Sequence, residues 1–392
     1  MKITNIECHV LVVPDYNPDA CSSAQDDIVV LVHTDEGITG IGETDTNPFV
    51  AKAMIEAPGT HCMAIGLKDM LIGQDPLRPE ALWDMMYERS CMTTRRGLGI
   101  CAIGAIDIAL WDIVGKAAGK PTWQMLGGRA ARPHIVPYAS LLPDGETLQE
   151  YTDSLLTKAA RAREIGFTAA KMEICLQGPY SHNALQENDD AVVSLVAACR
   201  EAIGPEMTMM IDVVYAWADV KAALRVMKQI EKYDIFFVET PLRVDDIDGH
   251  RRLSQQSPIR IASGEWLQTR WEFLDLLDRG HVDVAQPDVG RVGGLTEARR
   301  VADLARDRHR LLVPHCWKTG IGIAAAAQLA AVTPHCPYIE FLPPSLAESR
   351  LRKELVLDEP QIRSDGTLPL PERPGLGIEL NLDALAKYRV DA

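Results

Sequence analysis

Six ionisable residues recur at a near-constant interval in the second half of the chain. Asp212, Glu239, Glu265, Asp288, His315 and Glu340 stand 27, 26, 23, 27 and 25 residues apart. Each closes a short apolar run; Met209-Met210-Ile211 precedes Asp212, Phe236-Phe237-Val238 precedes Glu239 and Leu312-Val313-Pro314 precedes His315. A single Asp in such a place is commonly a helix N-cap. Caps do not call for Glu and His in the same register, so the series reads as a functional constellation. Asp212, Glu239 and Glu265, gathered bare, would repel one another. A hard cation removes that repulsion, and all-oxygen ligation completed by water and substrate suits Mg2+ better than Zn2+. Asp288 bonded to His315 would orient the imidazole and raise its basicity, which makes a general acid–base pair. Lys171 and Glu173, two residues apart on an earlier apolar run, share one strand face. A lysine close to a divalent cation would have its pKa lowered and would serve as a base or an electrostatic clamp. The plain alternative is a Lys171–Glu173 ion pair.

An interval of this length is one strand plus one helix. Eight apolar, β-branched runs between residues 135 and 342 alternate with amphipathic stretches such as 148–165, 189–203, 220–233, 270–279, 295–308 and 321–332. This predicts an α/β fold with a (β/α)8-type barrel, in which the strand ends converge on one mouth where barrel active sites sit. A doubly wound sheet would need a glycine-rich phosphate turn after its first strand, and residues 135–141 run instead into Pro143-Asp144-Gly145. Upstream, the first 50 residues read as strands, with a turn at Asp35-Glu36-Gly37. Residues 14–25 form a long loop of the kind that closes over sites. Residues 47–119 read as helical, most clearly 102–118, which Gly119-Lys120-Pro121 ends.

Composition narrows the partners. Among 392 residues, 55 acidic outnumber 40 basic, a net charge of -15 that argues against nucleic acid and anionic membrane surfaces. Uninterrupted apolar runs such as 321–332 are shorter than the roughly 18 residues a membrane helix needs. Met1-Lys2-Ile3-Thr4 lacks a signal core, so a cytoplasmic protein is expected. Nine cysteines without a CxxC pair read as small buried apolar residues, and the histidines other than His315 as surface groups.

Taken together, the motifs resemble the enolase superfamily, specifically its mandelate racemase subgroup. They are Ala105-Ile106-Asp107-Ile108-Ala109-Leu110-Trp111-Asp112, Gly119-Lys120-Pro121, Leu126-Gly127-Gly128, Val238-Glu239-Thr240-Pro241, Gly264-Glu265, Gln286-Pro287-Asp288, Gly293-Gly294 and Val313-Pro314-His315. The resemblance implies an enolase-like barrel at 129–345, an N-terminal α+β capping domain at 1–128 whose loops at 15–25 and 46–50 close the mouth, and a segment at 346–392 returning to that domain. It implies one Mg2+ on Asp212, Glu239 and Glu265, binding the substrate carboxylate. The His315–Asp288 dyad would be a base, and a protonated Glu340 would donate a hydrogen bond to the carboxylate. Racemase-like members carry Lys-x-Lys on the second strand, where this chain has Lys171-Met172-Glu173. Two-base racemisation is thereby weakened, and a dehydratase of a sugar acid, aldonate or aldarate, is expected, with His315 removing the α-proton and expelling the β-hydroxyl. The alternatives are a racemase, epimerase or cycloisomerase of the same superfamily, or a non-catalytic carbohydrate-acid binder. Arg95, Arg96 and His182 are candidate contacts to the distal substrate, and the resemblance implies a homo-oligomer.

Overall fold

The computed structural model describes all residues except 18–21, 23, 128, 391 and 392. The chain opens with an antiparallel sheet of three strands, Ile3–Val12, Asp26–Thr34 and Thr39–Thr44, in that order. The helix Leu98–Ala118 lies directly on the third strand; a Cβ at Gly42 would collide with the Ala105 carbonyl. This helix is long and apolar enough to cross a membrane, yet 94% of its most apolar window is buried inside the protein. Counting uninterrupted apolar runs passes over it because Asp107 and Asp112 interrupt the run.

Those two acids are structural joints. Asp112 takes the Ile41 amide at 3.0 Å, the Leu376 amide at 2.8 Å and Lys116 at 2.6 Å, tying sheet, helix and C-terminal segment together. Asp107 takes the amide and hydroxyl of Thr296 at 2.8 and 2.6 Å. Asp112→Ala would leave two buried amides unpaired and is expected to cost about 3 kcal/mol. The check is a lower urea midpoint at unchanged slope; an unmoved midpoint contradicts the joint.

Eight parallel strands follow: Pro137–Leu141, Ala169–Glu173, Thr208–Asp212, Ile235–Glu239, Arg260–Ser263, Val284–Ala285, Leu311–Leu312 and Ile339–Phe341. Each pairs with the next through the seventh, and the eighth pairs with the first. No ladder joins the seventh and eighth among the described residues; the Leu312 amide bonds to the His335 carbonyl there at 3.1 Å.

The period-two alternation of a strand explains how the barrel interior is layered. Tyr138, Ala169, Met210, Phe237, Ala262, Val284 and Val313, one per strand, pack as an apolar cluster with Tyr338 against it. Two residues further along each strand stand Ser140, Lys171, Asp212, Glu239, Gly264, Gln286, His315 and Glu340. An apolar plug therefore floors a polar layer at the C-terminal mouth.

Several details depart from expectation. The predicted helix 220–233 ends at Ile230 and continues as a 3-10 turn, Glu231–Tyr233. Glu340 lies inside its strand, not after it. The C-terminal segment, expected to return to the N-terminal domain, places the Val390 amide on the Val10 carbonyl at 3.0 Å. It also pairs Leu368–Pro369 with His134–Ile135 at the barrel entrance. Cys62 is exposed and Cys91 half-buried, so not every described cysteine is a core residue. His9 and His250 are buried, not surface groups. Cys21 lies outside the described residues.

Candidate active site

The polar layer is almost sealed from water: Lys171, Asp212, Glu239, Glu265, Asp288, His315 and Glu340 are each 7% exposed or less. Strand register brings them together. Glu173 lies opposite Asp212 and Asp212 opposite Glu239, while Asp288 and His315 form a parallel bridge just beyond their strands. Gly264 holds φ at +124°, and a Cβ there would meet the Phe273 ring at 2.6 Å. Only glycine allows that turn, and the next residue, Glu265, supplies the carboxylate.

Lys171 is the centre of the layer. Its ammonium lies 2.7 Å from Glu239, 2.8 Å from Glu340 and 3.4 Å from Asp212. Among the described residues its ion pairs run to these strands and not to Glu173, so three acids replace the single neighbour considered from sequence. Burial alone would lower its pKa, but Glu239 and Glu340 outweigh burial and hold it well above the usual lysine range. The lowered pKa expected of Lys171 presupposes a divalent cation beside it; the protein groups alone act in the opposite direction.

His315 Nδ1 is 2.8 Å from Asp288 Oδ2, and Nε2 is 3.1 Å from Glu265 Oε2. Burial opposes the charged ring, yet Glu340, Glu265 and Asp288 push its pKa up to about 9. Asp288 also accepts the Arg291 amide at 3.0 Å and caps the short helix Val289–Val292, so it is a cap as well as a His partner. Glu340 accepts from Ser140 Oγ at 2.6 Å and from the Cys316 amide at 2.7 Å. Burial would raise its pKa, but Lys171 and His315 outweigh burial and hold it below the usual value. Toward Lys171, Ser140 and the Cys316 amide Glu340 is an acceptor; the protonated donor implied by the resemblance is a role toward the substrate carboxylate.

The three acids expected to hold a metal are oxygen donors already oriented by neighbours. Asp212 Oδ1 takes Thr240 Oγ1 at 2.7 Å and the Val214 amide at 3.0 Å. Glu239 Oε2 takes Gln286 Nε2 at 2.6 Å, and Glu265 Oε1 takes the Tyr215 hydroxyl at 2.9 Å. Val214 and Tyr215 sit at φ +47° and +58°. A β-branched residue there is a strained outlier of the kind found at functional sites. Burial first, then Asp212, pushes Glu239 and Glu265 upward. This crowding of carboxylates is what a hard divalent cation offsets, so the donor set fits Mg2+. Among the described residues no three acid, histidine or cysteine side chains close on one point, and Lys171 stands between Asp212 and Glu239.

A cavity of about 370 Å3 opens onto this layer, and Lys171, Glu173, Asp212, Glu265, Arg291 and His315 face it with Ser22, Tyr180, Val214, Trp266 and Trp317. Burial first, then Asp212, pushes Glu173 well above the usual carboxylate range. Arg95, Arg96 and His182 do not line it. Arg96 pairs with Glu272 at 3.0 Å, and His182 packs edge-on against Tyr151. Arg291, Tyr215, Gln286 and Ser140 were not singled out from sequence. Their signal lies within three residues of an already chosen acid or one ladder step from Lys171 (Ser140), but pairing requires the closed barrel.

The N-terminal sheet seals one side. Glu43 accepts the Gly322 amide at 2.6 Å and the Thr319 hydroxyl, capping the helix Gly320–Ala331 that follows His315. Lys318 bridges Asp26 at 2.6 Å and Asp45 at 3.2 Å, and Asp45 pairs with Arg291.

A barrel with acids on successive strands and a His–Asp dyad at its mouth, covered by an N-terminal sheet, defines an enolase-type scaffold. Residues 10–127 match the mandelate racemase/muconate lactonizing enzyme N-terminal domain, and residues 154–384 match the enolase C-terminal domain-like family. The chain is 33% identical to the D-galactarolactone cycloisomerase of Agrobacterium fabrum, covering 100% of this chain and 99% of that protein. It is 30% identical to the arabinonate dehydratase of Saccharolobus solfataricus over 92% of this chain and 90% of that one. A solved racemase from Streptomyces coelicolor with bound magnesium superposes with a TM-score of 0.82 at 27% identity, covering 99% and 100%. The chain belongs to the mandelate racemase/muconate lactonizing group of the enolase superfamily.

Proposed function

We propose that the protein is a Mg2+-dependent sugar-acid dehydratase. It removes the proton next to the carboxylate and eliminates the β-hydroxyl, and the product tautomerises to a 2-keto-3-deoxy acid. The observation that carries this reading is His315, held by Asp288 at 2.8 Å and facing the same cavity as Lys171 and Glu173. Asp212, Glu239 and Glu265 would hold the ion. When bound, it supplies positive charge to the substrate carboxylate, which becomes more negative as the α-proton leaves.

The chain's own groups do the proton work. Asp288 accepts from Nδ1 and so fixes the tautomer in which Nε2, once it has lost its own proton, acts as base. The imidazolium formed then returns its proton to the departing hydroxyl, a syn elimination by one residue. Lys171 has three N–H donors and three carboxylate partners, so it acts as a clamp that keeps the acids together. Glu173, protonated, donates a hydrogen bond to a substrate hydroxyl. Glu173→Gln is expected to lower turnover about tenfold and to keep solvent deuterium exchange at the α-carbon. Loss of exchange in that variant, with exchange retained in His315→Asn, would transfer the base to Glu173.

A second reading is favoured by the full-length similarity to a cycloisomerase. If the leaving oxygen belongs to a ring of the substrate, the same two proton transfers open the ring without releasing water. Purified protein with Mg2+ and a library of aldonic acids, aldaric acids and their lactones separates the readings. A semicarbazide-positive product that has lost water supports the dehydratase; a semicarbazide-positive product of unchanged mass supports the cycloisomerase. Changed optical rotation without keto acid means epimerisation and overturns both.

A further inference from the structure

Three cations touch the cavity, and each is already committed. Lys171 is held by Glu239, Glu340 and Asp212. His315 lies between Asp288 and Glu265. Arg291 donates to the Asp45 carbonyl at 3.0 Å and the Glu265 carbonyl at 3.3 Å, and its guanidinium pairs with the Asp45 carboxylate. The next cation outward, Lys318, pairs with Asp26 and Asp45.

Apart from the acids Glu173, Asp212 and Glu265, the rest of the described wall carries no ionisable acid or base near neutral pH: Ser22, Tyr180, Val214, Trp266 and Trp317. Its rings are fixed to one another. Tyr215 stacks on Trp266 with centroids 4.1 Å apart, and Tyr180 meets Trp266 edge-on at 5.4 Å. Such faces suit C–H surfaces, and their edges tolerate hydroxyls. The sequence on either side of Ser22 adds no basic group. Residues 15–25 and 46–50 contain no Lys, Arg or His and include Asp15 and Asp19.

One carboxylate can be received at the acid cluster with its ion. A second, at the other end of the substrate, would leave water for the rings of this wall with no uncommitted cation among its described residues to meet it, and that desolvation is costly. We infer that the substrate is a monocarboxylic sugar acid, open-chain or ringed, and that aldarates are rejected by the wall of Tyr180, Trp266, Trp317 and Ser22. This rests on the reading of His315 and the acid cluster as the reaction centre.

The test uses the full chain with Mg2+. The His315→Asn variant is titrated calorimetrically with every D- and L-hexonate and with the hexarate of the same configuration. The tightest hexonate is expected to bind about a hundredfold better than its hexarate. Ser22→Arg or Ser22→Lys in the same background is expected to narrow that ratio about tenfold. Equal or tighter hexarate binding overturns the inference, and a ratio unmoved by either Ser22 variant overturns the assignment to this wall. Absence of α-deuterium exchange into every acid by the wild-type protein overturns the proposed function, and this inference with it.

Discussion

His315→Asn is expected to lose about a thousandfold or more in turnover, while the protein folds and binds Mg2+ as before. The size follows from what a positioned acid–base group contributes, doubled in consequence here because one imidazole performs both proton transfers. Asn preserves a polar amide near Asp288 but cannot take a proton. Its neighbours remain bonded to others: Asp288 to the Arg291 amide and Glu265 to the Tyr215 hydroxyl. The readouts are turnover of the best library substrate, α-deuterium exchange and the Mg2+ titration. Turnover near that of the wild type would remove His315 from the mechanism.

Withdrawal of Mg2+ is the second large effect. Chelation is expected to abolish turnover, and re-addition to raise the melting temperature, because a ligand that binds only the folded state stabilises it by about 2.7 kcal/mol at a hundred times its Kd. Asp212→Asn, Glu239→Gln and Glu265→Gln should each lose most of that thermal shift. Glu173→Gln should keep it, since Glu173 is outside the proposed ligand set although it lies opposite Asp212 in the sheet. An equal loss in Glu173→Gln would redraw the ligand set, and no shift in the wild type would remove the metal from the proposal. The shift is a binding measurement, so it stands apart from any assay of activity.

The fold was legible because its signals are local. A strand buried on both faces reads as a continuous apolar run, and the interval near 25 residues places one ionisable group at each mouth position from the third strand to the eighth. Helices Leu148–Ile165 and Asp189–Ile203 begin and end where periodicity and caps put them. The helix at 102–118 was legible from its periodicity, but the burial of its two acids was not. Their partners, Ile41, Leu376 and Thr296, arrive from distant parts of the chain.

What the sequence by itself determined is which residues reach the mouth, since strand period and unit length are properties of the chain alone. Only the tertiary structure decided whom they meet. Lys171 and Glu173 are two residues apart, yet Lys171 is held by acids of the third, fourth and eighth strands, because the eighth strand returns to pair with the first. The same closure sets Glu340 beside Lys171 and His315. It leaves Arg96 and His182 outside the cavity and brings Arg291 to it, already bound to Asp45 of the N-terminal sheet region. Charge pairing depends on distance across the barrel, which spacing along the chain does not contain.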